Sequence, residues 1–182
     1  MKVLIDANVL YPTVLRAIVL GVATTGYFTP LWSARILEEW ARAAARRDPA
    51  QEPVARGEIA LLRARWPDAE VAVSPETEAR LHLPDADDVH VLAAAIDGGA
   101  GELLTMNLSD FPTRKLAGEG IVRRDPDGFL VEALGAEPDA VRSVVEDVHG
   151  TAERLSGQSL PLRGLMKRAR VPRLGKALSP SP

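Results

Sequence analysis

Hydrophobic positions in this chain follow two different periods. Residues 2–5 form a short strand dominated by apolar side chains, suited to a parallel sheet covered on both faces, and it ends in Asp6. Apolar positions then recur at helical spacing over 12–23 and stop at Gly26. Thr29 and Pro30 read as the lead into a helix over 33–46, which Asp48 and Pro49 break. A further helix is predicted over 54–66, closed by Pro67, and a short strand over 71–73. The segment from Leu83 to Ile96 is strongly helical and ends at Gly98 and Gly99. Strands follow over 102–106 and 120–123. Beyond Pro126 only helices are expected, over 127–134, 138–155 and 160–169, with 179–182 frayed.

Strands that alternate with helices imply an α/β fold with right-handed crossovers and a central parallel sheet. The expected organisation is a domain over 1–130 and a helical extension over 131–182. Within that extension Val141, Val144, Val145 and Val148 make a one-sided stripe, expected to pack on the body or on a second copy in a homodimer. Trp32, Trp40 and Trp66 are assigned to the core.

Composition narrows the chemistry. None of the 182 residues is cysteine, which rules out disulfides and thiolate metal sites. The N-terminus lacks a signal-peptide pattern, and Arg16 interrupts the longest apolar run, over 14–23, so a cytoplasmic, non-membrane protein is expected. Net charge is −3, but the chain from Arg154 onward holds seven basic residues and no acid. An acidic body repels a polyanion, and a basic tail supplies attraction. Lys167, Arg168 and Arg170, with Arg35, are the candidate polyanion-binding side chains; a solvated helix face and a disordered end is the plainer alternative.

Acids occur one per element, mostly at strand ends, where ligands of open α/β sheets sit. Asp6 follows the first strand; its plainer reading is a helix cap, which Asn8 could equally supply. On the helix over 33–46, Glu39 lies about 60° from the buried Ile36, and Glu38 lies roughly opposite. Glu39 is therefore the one that can reach a cleft. Asp85, Asp87 and Asp88 are more acids than one helix start needs for capping. Asp88, about 40° from Leu92, is the main candidate among them, with Asp85 as cap and Asp85 or Asp87 as supporting acid. Asn107 and Asp110 follow the strand over 102–106; a cap for a short helix near Thr113 is the plainer role for Asp110. His90 stands one position off its helix's buried stripe and is read as structural. Carboxylates without a cysteine or histidine nucleophile suit magnesium or manganese.

The segments VLIDAN (3–8), ILEE (36–39), DVHVLAAA (88–95) and TMNLSDF (105–111) resemble the four motifs of the PIN-domain ribonucleases, over about residues 1–130. The resemblance implies a three-layer PIN-like fold with a central parallel sheet flanked by helices. It further implies an endoribonuclease that uses Mg2+ or Mn2+ and leaves 5′-phosphate and 3′-hydroxyl ends. Asp6, Glu39, Asp88 and Asp110 correspond to the family's four acids, with Asp6, Asp88 and Asp110 as metal-holding residues and Asn8, Asp85, Asp87 and Asn107 as auxiliaries. Many members carry an acid where this chain has Asn107, so one metal site is expected to be weakened. Among family members are VapC-like toxins of bacterial toxin–antitoxin pairs, which implies an antitoxin partner. Two other classes fail on residues: a dehalogenase-like phosphatase needs an Asp where Asn8 stands, and a receiver domain needs an acid pair and a late lysine that are absent. A metal-poor scaffold that binds RNA or a protein is the remaining alternative.

Overall fold

In the computed structural model, residues 1–179 are described and divide into two compact units, each with its own core. The first unit comprises Met1–Tyr11 and Thr29–Arg124; the second comprises Pro12–Phe28 and the chain from Asp125 onward.

The first unit is built on five parallel strands: β1 (Lys2–Ile5), β2 (Thr29–Ser33), β3 (Glu70–Val71), β4 (Glu102–Leu104) and β5 (Val122–Arg124). Their order is β3-β2-β1-β4-β5, so the chain moves outward from β1 in one direction and then restarts on its other side at β4. That reversal puts a topological switch point between β1 and β4, where the loops after the two strands diverge and leave a crevice. Val3, Leu4 and Ile5 in β1 and Leu103 and Leu104 in β4 are fully buried, as central parallel strands covered on both faces should be. Helices α1 (Ala7–Leu10), α3 (Ala34–Arg47), α4 (Gln51–Arg65), α5 (Pro75–Arg80), α6 (Val89–Asp97) and α7 (Thr113–Gly118) belong to the same unit. The fold is thus the α/β, PIN-like layered sheet with flanking helices, followed by C-terminal helices.

Several elements differ from the sequence expectations. Thr29–Ser33 is a strand rather than a lead-in, because Leu31, Trp32 and Ser33 are drawn into the sheet between β1 and β3. Leu83 does not start a helix; a single 3-10 turn, Ala86–Asp88, precedes α6. The strand expected over 102–106 stops at Leu104, which leaves Thr105 to Asp110 free to shape the edge of the sheet. Helix α6 is buried all round from Val89 to Ala95, not along one stripe, so His90 lies inside the protein. Trp32 and Trp40 are core residues, whereas Trp66 is half-buried, its ring edge-on to Trp32 at 6.1 Å.

The second unit packs α2 (Thr13–Thr24) with α8 (Pro126–Ala136), α9 (Pro138–Ser156), α10 (Leu162–Arg168) and α11 (Pro172–Leu178). Phe28 and Phe129 meet edge-on at 5.2 Å in its core. The valine stripe of α9 lies on α2: a Cβ built on Gly21 would stand 2.4 Å from Val144 Cγ1, so only glycine lets the helices approach this closely. Val141 and Val145 are buried in this unit, while Val144 and Val148 remain half-buried. The C-terminal basic segment is not a loose end either, since α11 continues ordered to Leu178. Residues 180–182 of the expected frayed end lie outside the described residues. No helix among the described residues is long and apolar enough to cross a membrane.

Candidate active site

The carboxyl edge of the sheet gathers the candidate residues of the first unit. Asp6 sits at the N-cap position of α1 but makes no capping hydrogen bond, so its carboxylate is available for another role. Only 4% exposed, it is held from two sides. Asn8 Nδ2 donates to Asp6 Oδ2 at 2.6 Å, and Thr105 Oγ donates to the same oxygen at 2.7 Å. Thr105 also accepts from Asn8 Nδ2 at 3.1 Å and from the Asn107 amide at 3.0 Å. One donor and two acceptor positions exhaust a hydroxyl's capacity, so Thr105 is a fully satisfied junction. Asn8 Oδ1 accepts from the Met106 amide at 3.0 Å, and the Asp6 amide donates to the Leu104 carbonyl at 3.1 Å. The edges of β1 and β4 are thus stitched together beneath Asp6. Burial pushes its carboxyl above the usual range, with the Thr105 and Asn8 hydrogen bonds opposing and the Glu39 charge adding.

Glu39 reaches this edge from α3, which starts directly from β2 with Ser33 capping the Ile36 amide. His90 Nε2 lies 2.8 Å from Glu39 Oε1, and Arg35 Nε lies 3.5 Å from the same oxygen. A carboxylate oxygen only accepts, so His90 must carry its proton on Nε2. Among the described residues, His90 Nδ1 is buried without a hydrogen-bond partner. Glu38 pairs with Arg42 and Arg56 and lines the same cleft as Glu39. Beside Glu39 opens a cleft of about 700 Å3 whose lining includes Arg35, Arg42, Arg63 and Asp87. Arg35 also reaches Glu78 at 3.3 Å, so its charge is shared between two acids.

Asp88 occupies the N-cap position of α6, again with no capping hydrogen bond. Asp85 is the cap of the preceding turn, accepting from the Asp87 amide at 2.9 Å, and both Asp85 and Asp87 are exposed. The Asp88 carboxyl is pushed up to about 6, by burial first and then by the negative charges of Asp6, Asp85 and Asp110. That repulsion brings acids from three chain segments into one field. Asp110 does not cap α7, whose N-cap is Pro112; it is half-buried and accepts from Ser109 Oγ at 3.2 Å. Arg123 of β5 fixes this loop by donating Nη1 to the Leu108 and Phe111 carbonyls. Asn107 is exposed, with its amide tied to Thr105.

Among the described residues, no three His, Cys, Asp or Glu side chains stand close enough together to form a closed metal shell. The acids converge in field rather than in a preformed cage. An all-carboxylate donor set, repelling itself and without nitrogen or sulfur ligands, still fits a hard cation that retains several of its waters.

Sequence reasoning missed the roles of two residues of the site. Thr105 stands in the TMNLSDF segment, but its role as a hydrogen-bond junction depends on the pairing of β1 with β4. His90, read as structural and one position off the buried stripe, is indeed buried, but its pairing with Glu39 is not visible in a helical pattern.

The family profile described as PIN domain matches residues 2–109, more than half of the chain. No curated protein and no solved structure matches the chain significantly.

Proposed function

The chain belongs to the PIN-domain family, whose members are generally nucleases and usually use divalent metals, and we propose that it is a metal-dependent endoribonuclease. The observation that carries this reading is the electrostatic coupling of Asp88 to Asp6, Asp85 and Asp110 at the carboxyl edge of the sheet. Asp6 and Asp88 both occupy helix starts without capping them, which favours ligand work over local structure.

Asp6, Asp88 and Asp110 would hold Mg2+ or Mn2+, with Glu39 nearby. When bound, such a cation makes water easier to deprotonate and neutralises charge on the phosphoryl group. The chain's own residues set the geometry. Thr105 and Asn8 fix the orientation of Asp6 Oδ2, His90 and Arg35 hold Glu39, and Arg123 holds the loop that carries Asp110. Arg35, Arg42 and Arg63 in the adjoining cleft are suited to contact the RNA backbone. A nuclease that acts on cellular RNA needs restraint, and we extend the reading to the toxin of a toxin–antitoxin pair with a protein antitoxin. A homodimer belongs to the same proposal; of the α9 stripe, Val141 and Val145 are already buried in their own unit.

The test is cleavage of a mixed cellular RNA pool with Mg2+ or Mn2+ by wild type, Asp6→Asn and Asp88→Asn. Metal-dependent cutting by wild type alone supports the reading; equal cutting by all three removes it. A second reading, a scaffold that binds RNA or a partner without cutting, is favoured by the lack of a closed ligand shell among the described residues and by Asn107. Calorimetric titration separates the two, since the scaffold requires that neither cation binds.

A further inference from the structure

We propose that the outer face of α10 and α11 is a built surface for the sugar–phosphate backbone of single-stranded RNA. The proposal rests on the ribonuclease reading for its choice of ligand, and it assigns substrate capture to residues outside the acidic site.

The two helices are short, seven residues each, and form a corner through Ala169, Arg170 and Val171. Arg170 takes a left-handed backbone, φ 63°, to make that turn. Leu165, Met166, Val171 and Leu174 point inward and are buried. Gly175 lets the helices close on one another, since a Cβ there would lie 2.7 Å from Met166 Cβ. The buried Asp127 carboxylate then anchors α11, accepting from the Arg173 and Leu174 amides at 2.9 Å each. Every apolar side chain of this corner that matters for packing is thus engaged within the second unit.

What remains outward is cationic. Arg163, Lys167, Arg168, Arg170, Arg173 and Lys176 are all exposed, and none forms an ion pair among the described residues. No acid follows Glu153 in the sequence, while the first 153 residues carry 15 basic against 25 acidic side chains. Such a surface offers point charges and guanidinium forks to phosphates and no aromatic platform to read bases. Binding there is therefore independent of sequence. A lipid surface is the poorer match, because none of the exposed large hydrophobic residues lies on α10 or α11.

The test uses the full chain with Asp6→Asn and Asp88→Asn, to prevent cleavage, and a fluorescent oligouridylate in anisotropy titrations without divalent metal. Arg163→Gln, Lys167→Gln and Arg168→Gln remove three charges from α10 and leave the left-handed Arg170 intact. The expected result is at least a tenfold loss of affinity at low salt, with a slope of log K against log salt shallower by about 2, at roughly 0.7 per phosphate contact on single strands. Arg163→Lys with Arg168→Lys keeps the charge and should keep the binding, which separates charge loss from misfolding. Unchanged affinity and slope in the triple variant overturn the proposal, as does tighter binding to duplex DNA or to phosphatidylserine vesicles than to the RNA. Loss of cleavage in Asp88→Asn alongside unchanged RNA affinity in the triple variant would remove this surface and leave the nuclease standing. The opposite pattern, binding lost in the triple variant and no cleavage by wild type, would remove the nuclease instead.

Discussion

His90 Nε2 stands 2.8 Å from Glu39 Oε1, joining a fully buried ring on α6 to a half-buried acid on α3. Among the described residues its Nδ1 is buried without a hydrogen bond. An arrangement that leaves a polar atom unpaired in the interior costs stability, and the compensation here is a fixed carboxylate. His90→Ala should lower RNA cleavage by about 10- to 100-fold, the range seen when a residue that orients a ligand is removed. His90→Gln, whose amide can still donate, should recover part of it. Equal rates for wild type and both variants would show that Glu39 needs no such support.

Thr105 invites a stability measurement. Thr105→Val removes a donor from the buried Asp6 carboxylate and an acceptor from Asn8 and from the Asn107 amide. The expected cost is about 1–3 kcal/mol in urea unfolding, with Thr105→Ser close to wild type. A valine variant as stable as wild type would mean that the hydroxyl junction is incidental.

The acid repulsion predicts a specific pH dependence. The Asp88 carboxyl is raised from 3.8 to about 6, so the folded protein binds a proton more readily than the unfolded chain. Its contribution to stability is fully present below pH 3.8 and is lost as pH rises through about 6. Asp88→Asn should therefore match wild type near the acid end of that window and exceed it near neutrality. Partial exposure of Asp88 discounts the full effect, so a gain of about 2–4 °C in Tm at pH 7 is expected, roughly 1 kcal/mol for a chain of this length. A Tm difference that does not change with pH would contradict it.

Divalent cation should relieve the same repulsion. Adding Mg2+ or Mn2+ in scanning calorimetry should raise the Tm of wild type in proportion to the logarithm of concentration, approaching about 2.7 kcal/mol at a hundredfold excess over Kd. Asp6→Asn should blunt the response. A wild type indifferent to both ions favours the scaffold reading.

Gly21 offers a test confined to the helical unit. Gly21→Ala drives a methyl into Val144 and should cost about 1–3 kcal/mol, despite alanine's better helix propensity. Val144→Ala in the same chain should restore most of that loss, and additive losses in the double variant would show that the helices part instead.

Much of this was legible in the primary structure where a signal is local. The apolar run before Asp6, the helical offset between Glu38 and Glu39, and the excess of acids before α6 all point to the sheet edge where the acids meet. Strand β2 was not legible because Pro30 breaks the usual strand pattern, and only pairing with Val3 on β1 draws that segment into the sheet. The pairing of His90 with Glu39 was not legible because helical periodicity cannot reveal burial on every side, which the alanines of α6 permit. Thr105 lies 99 residues from the carboxylate it holds, a separation no local pattern encodes.

The pairing of β1 with β4 also sets when the site can exist. Asp6 precedes Thr105 by 99 residues in the chain, its partner strand β4 lies almost as far on, and Asp110 comes later still. During synthesis, which proceeds from the N-terminus, β1 must wait for β4 before the centre of the sheet can close. A ribosome-bound chain that has not reached Glu102 thus carries Asp6, Glu39 and Asp88 without β4 and without the Thr105 hydroxyl that holds Asp6. On the ribonuclease reading proposed above, the order of the strands alone keeps the half-made protein without its candidate site beside the RNA that encodes it.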